Sequence, residues 1–279
     1  MNRRFWVSLR VIKLSIVFVL LSSLGSTFAA TRGFDLRLGA YTSNLGYDED
    51  SGASNSGNTI GLVARYASYQ PLSTILLDLT YVGGSVDYEG AGKISDIKSE
   101  LYDARGMFGF SFYLNNAYRL TPYVGIGLRH FVADSRSDIS TTSVAGYKSE
   151  QIYVYNPIGI EIIEVKEITD ATWVTGWRLE YDSVFWGQNR SRLGAADAYE
   201  AVKISQSGHG YRFYMSFHRF FGEDGSGIMI EPFYKYWHLS DSDSNEYPGF
   251  SSDHESSEWG CRCSFLFNTS LRINKNCFK

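Results

Sequence analysis

Cysteine is almost missing from this chain: there are three, all within the last nineteen of 279 residues. That is too few, and too terminal, for a disulfide framework. Proline is scarce, with five residues. Beyond the first thirty positions no apolar run approaches the roughly 20 residues of a membrane-spanning helix. Positive charge is not in excess, since 26 Lys and Arg stand against 30 Asp and Glu for a net charge of −4 and a pI near 5.8. A basic nucleic-acid binder is therefore excluded, and nucleic acid is not an expected partner. No phosphate-loop or zinc-ligand spacing occurs, and no cofactor is expected. Aromatic residues are plentiful (18 Phe, 20 Tyr and 6 Trp), alongside 27 Gly. So aromatic a composition excludes a disordered chain.

Residues 1–29 read as a cleaved secretory signal peptide. Arg3, Arg4, Arg10 and Lys13 form a basic start, residues 14–21 are apolar apart from Ser15, and small residues follow. Cleavage before Ala30 puts Thr27 and Ala29 at the recognised positions. A retained anchor helix is the competing reading, and the short apolar core with Ser22, Ser23, Gly25 and Ser26 behind it argues against that. No Cys follows the apolar stretch, so the chain is not a lipoprotein. Removing four bases and no acids takes the charge from −4 to −8. The expected destination is the bacterial outer membrane, for the reasons below.

From residue 33 onward, apolar residues recur at spacing two, the signature of half-exposed strands. Ten such segments are predicted, over 33–42, 59–69, 74–83, 100–113, 122–132, 151–165, 171–185, 209–221, 228–238 and 258–267. In the first, Phe34, Leu36, Leu38 and Ala40 share one face and Asp35, Arg37 and Gly39 the other. The connections alternate. Four are short (70–73, 114–121, 166–170 and 222–227) and five are long and polar (43–58, 84–99, 133–150, 186–208 and 239–257). The pattern predicts an all-β, antiparallel, up-and-down transmembrane β-barrel of about ten strands, with eight as the alternative. It has short periplasmic turns and long extracellular loops. The barrel occupies residues 30–267 and a C-terminal tail 268–279. A soluble β-sandwich is the rival architecture; it has no need of an aromatic-rich face on every strand.

Each strand carries charge on the face opposite its apolar one. The bases are Arg37, Arg65, Arg105, Arg129, Arg178, Arg212, Lys235 and Arg262; the acids are Asp35, Asp78, Asp103, Glu161, Glu180, Asp182 and Glu231. Lipid cannot solvate charge, so this face lines the lumen. A barrel of ten strands is narrow, whereas open aqueous channels need about 16–18. Charges of both signs in that space should pair, because an unpaired buried charge is costly. The prediction is a charge-filled lumen. Glycines 39, 61, 125, 127 and 176 on the same face are expected to make room for the arginines. Tyr66, Tyr81, Trp173, Trp177, Tyr181, Tyr211, Tyr236 and Trp259, on the apolar face, suit headgroup-level belts.

The segments TPYVGIGLRHF (121–131), YNPIGIE (155–161), LEYDSVFWGQ (179–188), GHGYRFYMSF (208–217) and EPFYKYWHLSDSD (231–243), in this order, resemble the small porin-like outer-membrane β-barrel proteins of Gram-negative bacteria. Many members have no assigned activity. The resemblance implies outer-membrane lipid, lipopolysaccharide and the barrel assembly machinery as partners. It also implies an assembly signal in the last strand, matched in EWGCRCSFLF by Trp259, Gly260, Phe265 and Phe267. The tail 268–279 departs from the family, whose barrels usually stop at the last aromatic.

Candidate chemistry is sparse. Some ten-stranded barrels are omptin-type proteases with acids and a His–Asp couple at the outer rim. Here His238 with Asp241 and Asp243, and Asp182 and Asp134 near other rims, are the residues in question, and the omptin motifs are not matched. A lipid A deacylase could be assembled around His130, with unspecific spacing. Asp241, Asp243 and Glu246, with Asp253 and Glu255 behind them and Asp48, Glu49 and Asp50 in the first loop, are placed to attract a divalent cation through hard oxygen ligands. Solubility on a crowded cell surface explains the same acids and is preferred; no metal is expected. Cys261 and Cys263 share a face and read as small apolar side chains, while Cys277 is free to pair with another chain. The functional expectation is a non-enzymatic barrel whose surface loops serve structural, adhesive or ligand-contact roles, with a currently unnamed extracellular ligand. A selective channel for small solutes and a surface hydrolase are the rivals.

Overall fold

The computed structural model describes residues 33–268 except 51, 71–72, 91, 115–117, 144, 169–170, 194–201, 222–225 and 242–252. The expected signal peptide, residues 269–279 of the expected tail with Cys277, and Asp243 and Glu246 lie outside the described residues, while Asn268 belongs to the last strand.

Ten antiparallel strands form one closed barrel: β1 (Gly33–Glu49), β2 (Ser54–Tyr69), β3 (Ser73–Glu89), β4 (Lys93–Phe110, resumed at Phe112–Tyr113), β5 (Tyr118–Asp134), β6 (Tyr147–Ile168), β7 (Ala171–Leu193), β8 (Val202–Phe221), β9 (Ser226–Asp241) and β10 (His254–Asn268). Each strand pairs with the next in sequence, and β1 pairs with β10 from Asp35↔Asn268 to Glu49↔His254. Closure leaves no sheet edge unpaired. Ten, not eight, is the strand number.

The fifteen to twenty-three residues of each strand exceed the sequence expectation, and about 9–11 tilted residues suffice to cross a bilayer. Most of the excess lies at the end away from the short turns, although β5, β6 and β9 also lengthen by two to four residues into the expected short connections. β1 and β2 stay paired up to Asp48↔Ser54, so most of the loop expected over 43–58 is strand. The same holds over 84–99, where β3 and β4 pair, and over 186–208, where β7 and β8 extend to Leu193 and from Val202. The expected loop 133–150 shrinks to residues 135–146, and 239–257 loses residues to both β9 and β10.

The cause is an inversion of polarity along each strand. In the lower part of β1, Phe34, Leu36 and Leu38 point outward while Asp35 and Arg37 are buried inside; higher up Tyr41, Leu45 and Tyr47 are buried inside, with Asn44 and Asp48 outside. On β3 the outward residues run Leu77, Leu79, Tyr81 and then Ser85 and Asp87, and the inward ones run Asp78 and then Val82 and Val86. The period of two is unbroken, but the apolar parity switches sides, so a search for one continuous apolar face stops at the switch.

The outer surface of the lower part is an apolar band. Ile60, Leu62, Val124, Ile126, Ile158, Leu179 and Phe265 are each more than half exposed. At its upper margin Tyr81 packs on Tyr102, with centroids 4.8 Å apart, and Tyr102 stacks on His130 at 6.1 Å. Tyr181, Tyr211 and His209 form a second such group. Amphipathic rings at the edge of an apolar band are what a membrane–water boundary selects. Cys261 and Cys263 are free, and both sit on the outer side of β10, flanking the inward Arg262.

Amide hydrogen exchange of the protein in micelles should protect residues 43–49 and 54–58 as strongly as the lower barrel. Exchange at the rate of an unstructured peptide would mean that the hairpin ends at the aromatic margin.

Candidate functional site

All fifteen charged residues expected in the lumen lie inside the barrel, each 6% exposed or less. They form three tiers.

At the end near the short turns, Arg37 donates to Asp35 at 2.7 Å and to the Met229 sulfur at 3.0 Å, and the Tyr69 hydroxyl donates to Asp35 at 3.2 Å. In the middle tier Arg65 reaches across the lumen from β2 to Glu161 on β6, at 3.1 Å. Arg105 donates to Asp78 at 2.7 Å and also binds Glu180, which accepts from the Tyr123 hydroxyl at 2.8 Å. Arg262 pairs with Glu231 at 3.2 Å. Arg178 lies between Asp78 and Glu231, 3.6 Å from each, with its carbon 4.0 Å from the centre of the Tyr214 ring.

In the upper tier Arg212 holds Asp182 at 2.5 Å, Asp103 at 2.8 Å and the Tyr155 hydroxyl at 2.6 Å, and it stands 3.3 Å from Glu180 of the middle tier. Beside it, Lys235 donates to Glu258 at 3.1 Å and to the Tyr41 hydroxyl at 2.6 Å. Tyr41 also donates to Glu258, Ser43 donates to it at 2.9 Å, and Arg129 stands 3.6 Å away.

Glu258 is the charge that sequence reading missed. It shares the parity of Arg262 on β10 and is 2% exposed. With it, the buried lumen charges among the described residues come to eight bases and eight acids. The inner aromatics were missed as well, apart from Tyr155, whose alternation with Glu161 puts it on the lumen face. Tyr41, Tyr123, Tyr155, Tyr214, Phe233 and Trp237 stand among the charges, not in the outer belts. Their signal was present in the sequence, since Tyr214 follows Arg212 by two, and Phe233 and Trp237 flank Lys235 by two. The guanidinium of Arg212 lies 5.0 Å from the Trp237 ring centre and 4.9 Å from that of Tyr155. Such contacts favour Arg because it is more weakly hydrated than an ammonium and stacks on aromatic faces.

The glycines serve the rings more than the arginines. A side-chain carbon at Gly127 would run into the Tyr155 ring, and one at Gly159 into that of Tyr123. At Gly39, Gly61, Gly125 and Gly176 the nearest side chains are Ser264, Val82, Met107 and Ser216.

Above the charges a hydrogen-bonded layer crosses the barrel. The Gln151 amide donates to the Tyr47 hydroxyl at 3.2 Å, the Tyr153 hydroxyl donates to Gln151 at 2.7 Å, and Tyr153 also meets His254 at 3.2 Å.

The residues considered for catalysis separate in space. Asp182 is not at a rim; it is fully buried and bound to Arg212. Asp134 chelates Arg136 through both carboxylate oxygens, at 2.9 and 2.7 Å, and the hydrogen bonds hold its carboxyl below the usual carboxylate range. His238 stands 3.4 Å from Glu255. Asp241 ends β9, and its side chain is outside the description. His130, at the aromatic margin, faces Glu150 at 3.1 Å. The hydrogen bond from His130 holds the Glu150 carboxyl down to about 2, against the opposing effect of burial. Among the described residues no cluster of three His, Cys, Asp or Glu could hold a metal ion. On β10, Trp259, Phe265 and Phe267 face outward, while Gly260 packs against Ser43 of β1.

Removing one partner from a buried pair strands the other. Glu258→Ala should lower unfolding stability in micelles by about 3–5 kcal/mol. The double variant Lys235→Met/Glu258→Gln should lose far less, and equal losses for the two would mean that the pair is solvated. Denaturant titration followed by tryptophan fluorescence reads both.

No family model matches this sequence, and no curated protein matches it. Among solved structures the chain is similar to the outer membrane protease OmpT from Escherichia coli, with a TM-score of 0.50 and 9% identity over 88% of this chain and 99% of that one. It also matches Ail, the attachment invasion locus protein of Yersinia pestis (TM-score 0.34, 10% identity, 84% of this chain and 98% of that one). A third match is the Pseudomonas putida toluene transporter TodX (TM-score 0.35, 10% identity, 86% and 90%). At these identities the likeness concerns the fold alone.

Proposed function

The chain has the fold of the outer-membrane β-barrels, and we propose that it resides in a bacterial outer membrane as a non-enzymatic barrel with a closed lumen. It acts through the part that rises above the membrane. The observation that carries this reading is the lumen itself: eight bases and eight acids, each 6% exposed or less, interlocked with aromatic rings. A permeation path would need continuous solvent contact along such side chains. Its surroundings are outer-membrane lipid and lipopolysaccharide. It is exported by the segment 1–29 and inserted by the barrel assembly machinery, with Trp259, Gly260, Phe265 and Phe267 as its assembly signal. The reading differs from the sequence expectation in one respect. Much of what was expected as loop in the outer part is paired strand, so a binding surface formed by those strands is pre-ordered.

One feature favours the rival reading, a narrow selective channel. The Arg178 guanidinium is buried, yet none of its three nitrogens makes a hydrogen bond. Buried polar groups of this kind are where internal water binds. In the rival reading such waters join into a thread.

Planar-bilayer recording decides between the two, using protein whose insertion is shown by heat-modifiable gel migration. Silence is the expected result. Steady ohmic currents that change with Arg178→Gln would overturn the closed-lumen reading in favour of the channel.

A further inference from the structure

The outward face of the upper barrel is unevenly charged. On β1 and β3 it is acidic, with Asp48, Asp87 and Glu89 directed outward. On β6 and β7 it is basic, although the chain as a whole carries −4. Beyond the buried Gly187 the outward positions of β7 are Gln188, Arg190 and Arg192, and across the ladder they face Ile152, Glu150 and Lys148 of β6. Lys148 and Arg192 are thus like charges directly opposite each other, an arrangement that costs a sheet stability. Glu150 is the acid beside them, and it is shared: it meets His130 at 3.1 Å and lies 3.6 Å from Arg192. Lys148 has no ion pair among the described residues. Three bases against one acid leave this face positive. Below the bases the β7–β8 ladder slips between Val184 and Gly187, and the residues in that bulge, Phe185 and Trp186, are 54% and 47% exposed. They follow Tyr181 of the aromatic margin, so two further rings stand at headgroup level on the strand that carries the arginines.

We propose that this face of β6 and β7 binds the phosphorylated saccharide headgroup of an outer-leaflet glycolipid. Phosphate is the chemistry that such a set recognises: Arg offers its oxygens a planar fork of donors, and Lys a compact charge. A bound phosphate also relieves the repulsion between Lys148 and Arg192, which the fold alone leaves in place. Height selects the headgroup. Arg190 and Arg192 lie four and six residues past Trp186, roughly 13 and 20 Å along the strand at about 3.3 Å per residue. Even with a strand tilt of roughly 40°, that is above a phosphate joined directly to an acylated glycerol and within reach of phosphates carried on sugars. The membrane, not the surrounding water, is the source, because the bases continue upward from Trp186 and the aromatic margin in one outward file. Trp186 and Gln188 then meet the sugar that lies between the acyl chains and the phosphate. The proposal rests on the outer-membrane reading above and names its lipid contact; it is independent of whether the lumen conducts.

The test is native mass spectrometry of the full chain refolded in detergent micelles and mixed with a rough-type lipopolysaccharide whose core is phosphorylated. Heat-modifiable gel migration establishes that each protein is folded. Retention of one lipopolysaccharide per chain is expected. It should be at least tenfold weaker for the same glycolipid stripped of its core phosphates, and for Lys148→Gln/Arg192→Gln. Trp186→Ala, a change elsewhere on the face, should weaken it severalfold, and Lys93→Gln/Lys98→Gln on β4 should leave it unchanged. Undiminished binding of the dephosphorylated form, or an equal loss in the β4 variant, would overturn the proposal. So would equally tight binding of the phosphorylated core oligosaccharide freed from its lipid, because the source would then be a soluble polyanion. Failure of the folded wild-type chain to retain the glycolipid refutes this site alone, whereas failure to insert into micelles refutes the outer-membrane reading on which it rests.

Discussion

A barrel wall one residue thick faces two environments at once, and every strand must satisfy both with a single alternating pattern. The remaining features of this structure depend on that constraint. Backbone groups are paired by closure, so the side chains alone decide what each surface can touch. In the lower barrel the outward positions are apolar and the inward ones charged. In the upper barrel the assignment reverses, and the same strands become a water-exposed barrel with an apolar interior. The aromatic margin of Tyr81, Tyr102, Tyr181 and Tyr211 marks the level where the environment changes.

The lower interior solves a difficult electrostatic problem. Sixteen charges sit where water is largely excluded, and desolvation of each ion costs several kcal/mol before any pairing. The structure offsets this with multiplicity of partners and not with isolated pairs. Asp78 serves Arg65, Arg105 and Arg178, and Arg212 serves Asp103, Asp182 and Tyr155. Many of these contacts link strands that are not neighbours, so they brace the barrel across its diameter. Tyrosine and tryptophan rings fill the gaps between guanidinium groups, and glycines on neighbouring strands allow Tyr155 and Tyr123 close. Specificity of strand register follows from the same contacts, because a slip of one residue would turn every charge toward the apolar exterior.

The two halves thereby acquire different capacities. A densely paired plug is suited to rigidity and closure, and the upper barrel provides shaped surface in water. The Gln151 layer separates them. Strands of the upper barrel are held in place from below, an arrangement in which a binding surface loses little conformational entropy on association.

The sequence by itself determined the all-β class, the ten strands, the lower apolar face and the fifteen charges opposite it, because period-two alternation reports directly on which side a residue faces. It could also have yielded Glu258 and the inner aromatics, which keep strict parity with Arg262, Arg212 and Lys235. Only the tertiary structure decided how far the strands run and who pairs with whom. At Tyr41 on β1 and Val82 on β3 the apolar parity changes sides, so a one-dimensional pattern reads the end of a strand where the backbone ladder in fact continues. The ion pairs depend on which strands face each other across the lumen, as Arg65 faces Glu161. The upper barrel encloses a cleft because six strands, β1 to β6, converge there, and convergence in space leaves no mark in local sequence.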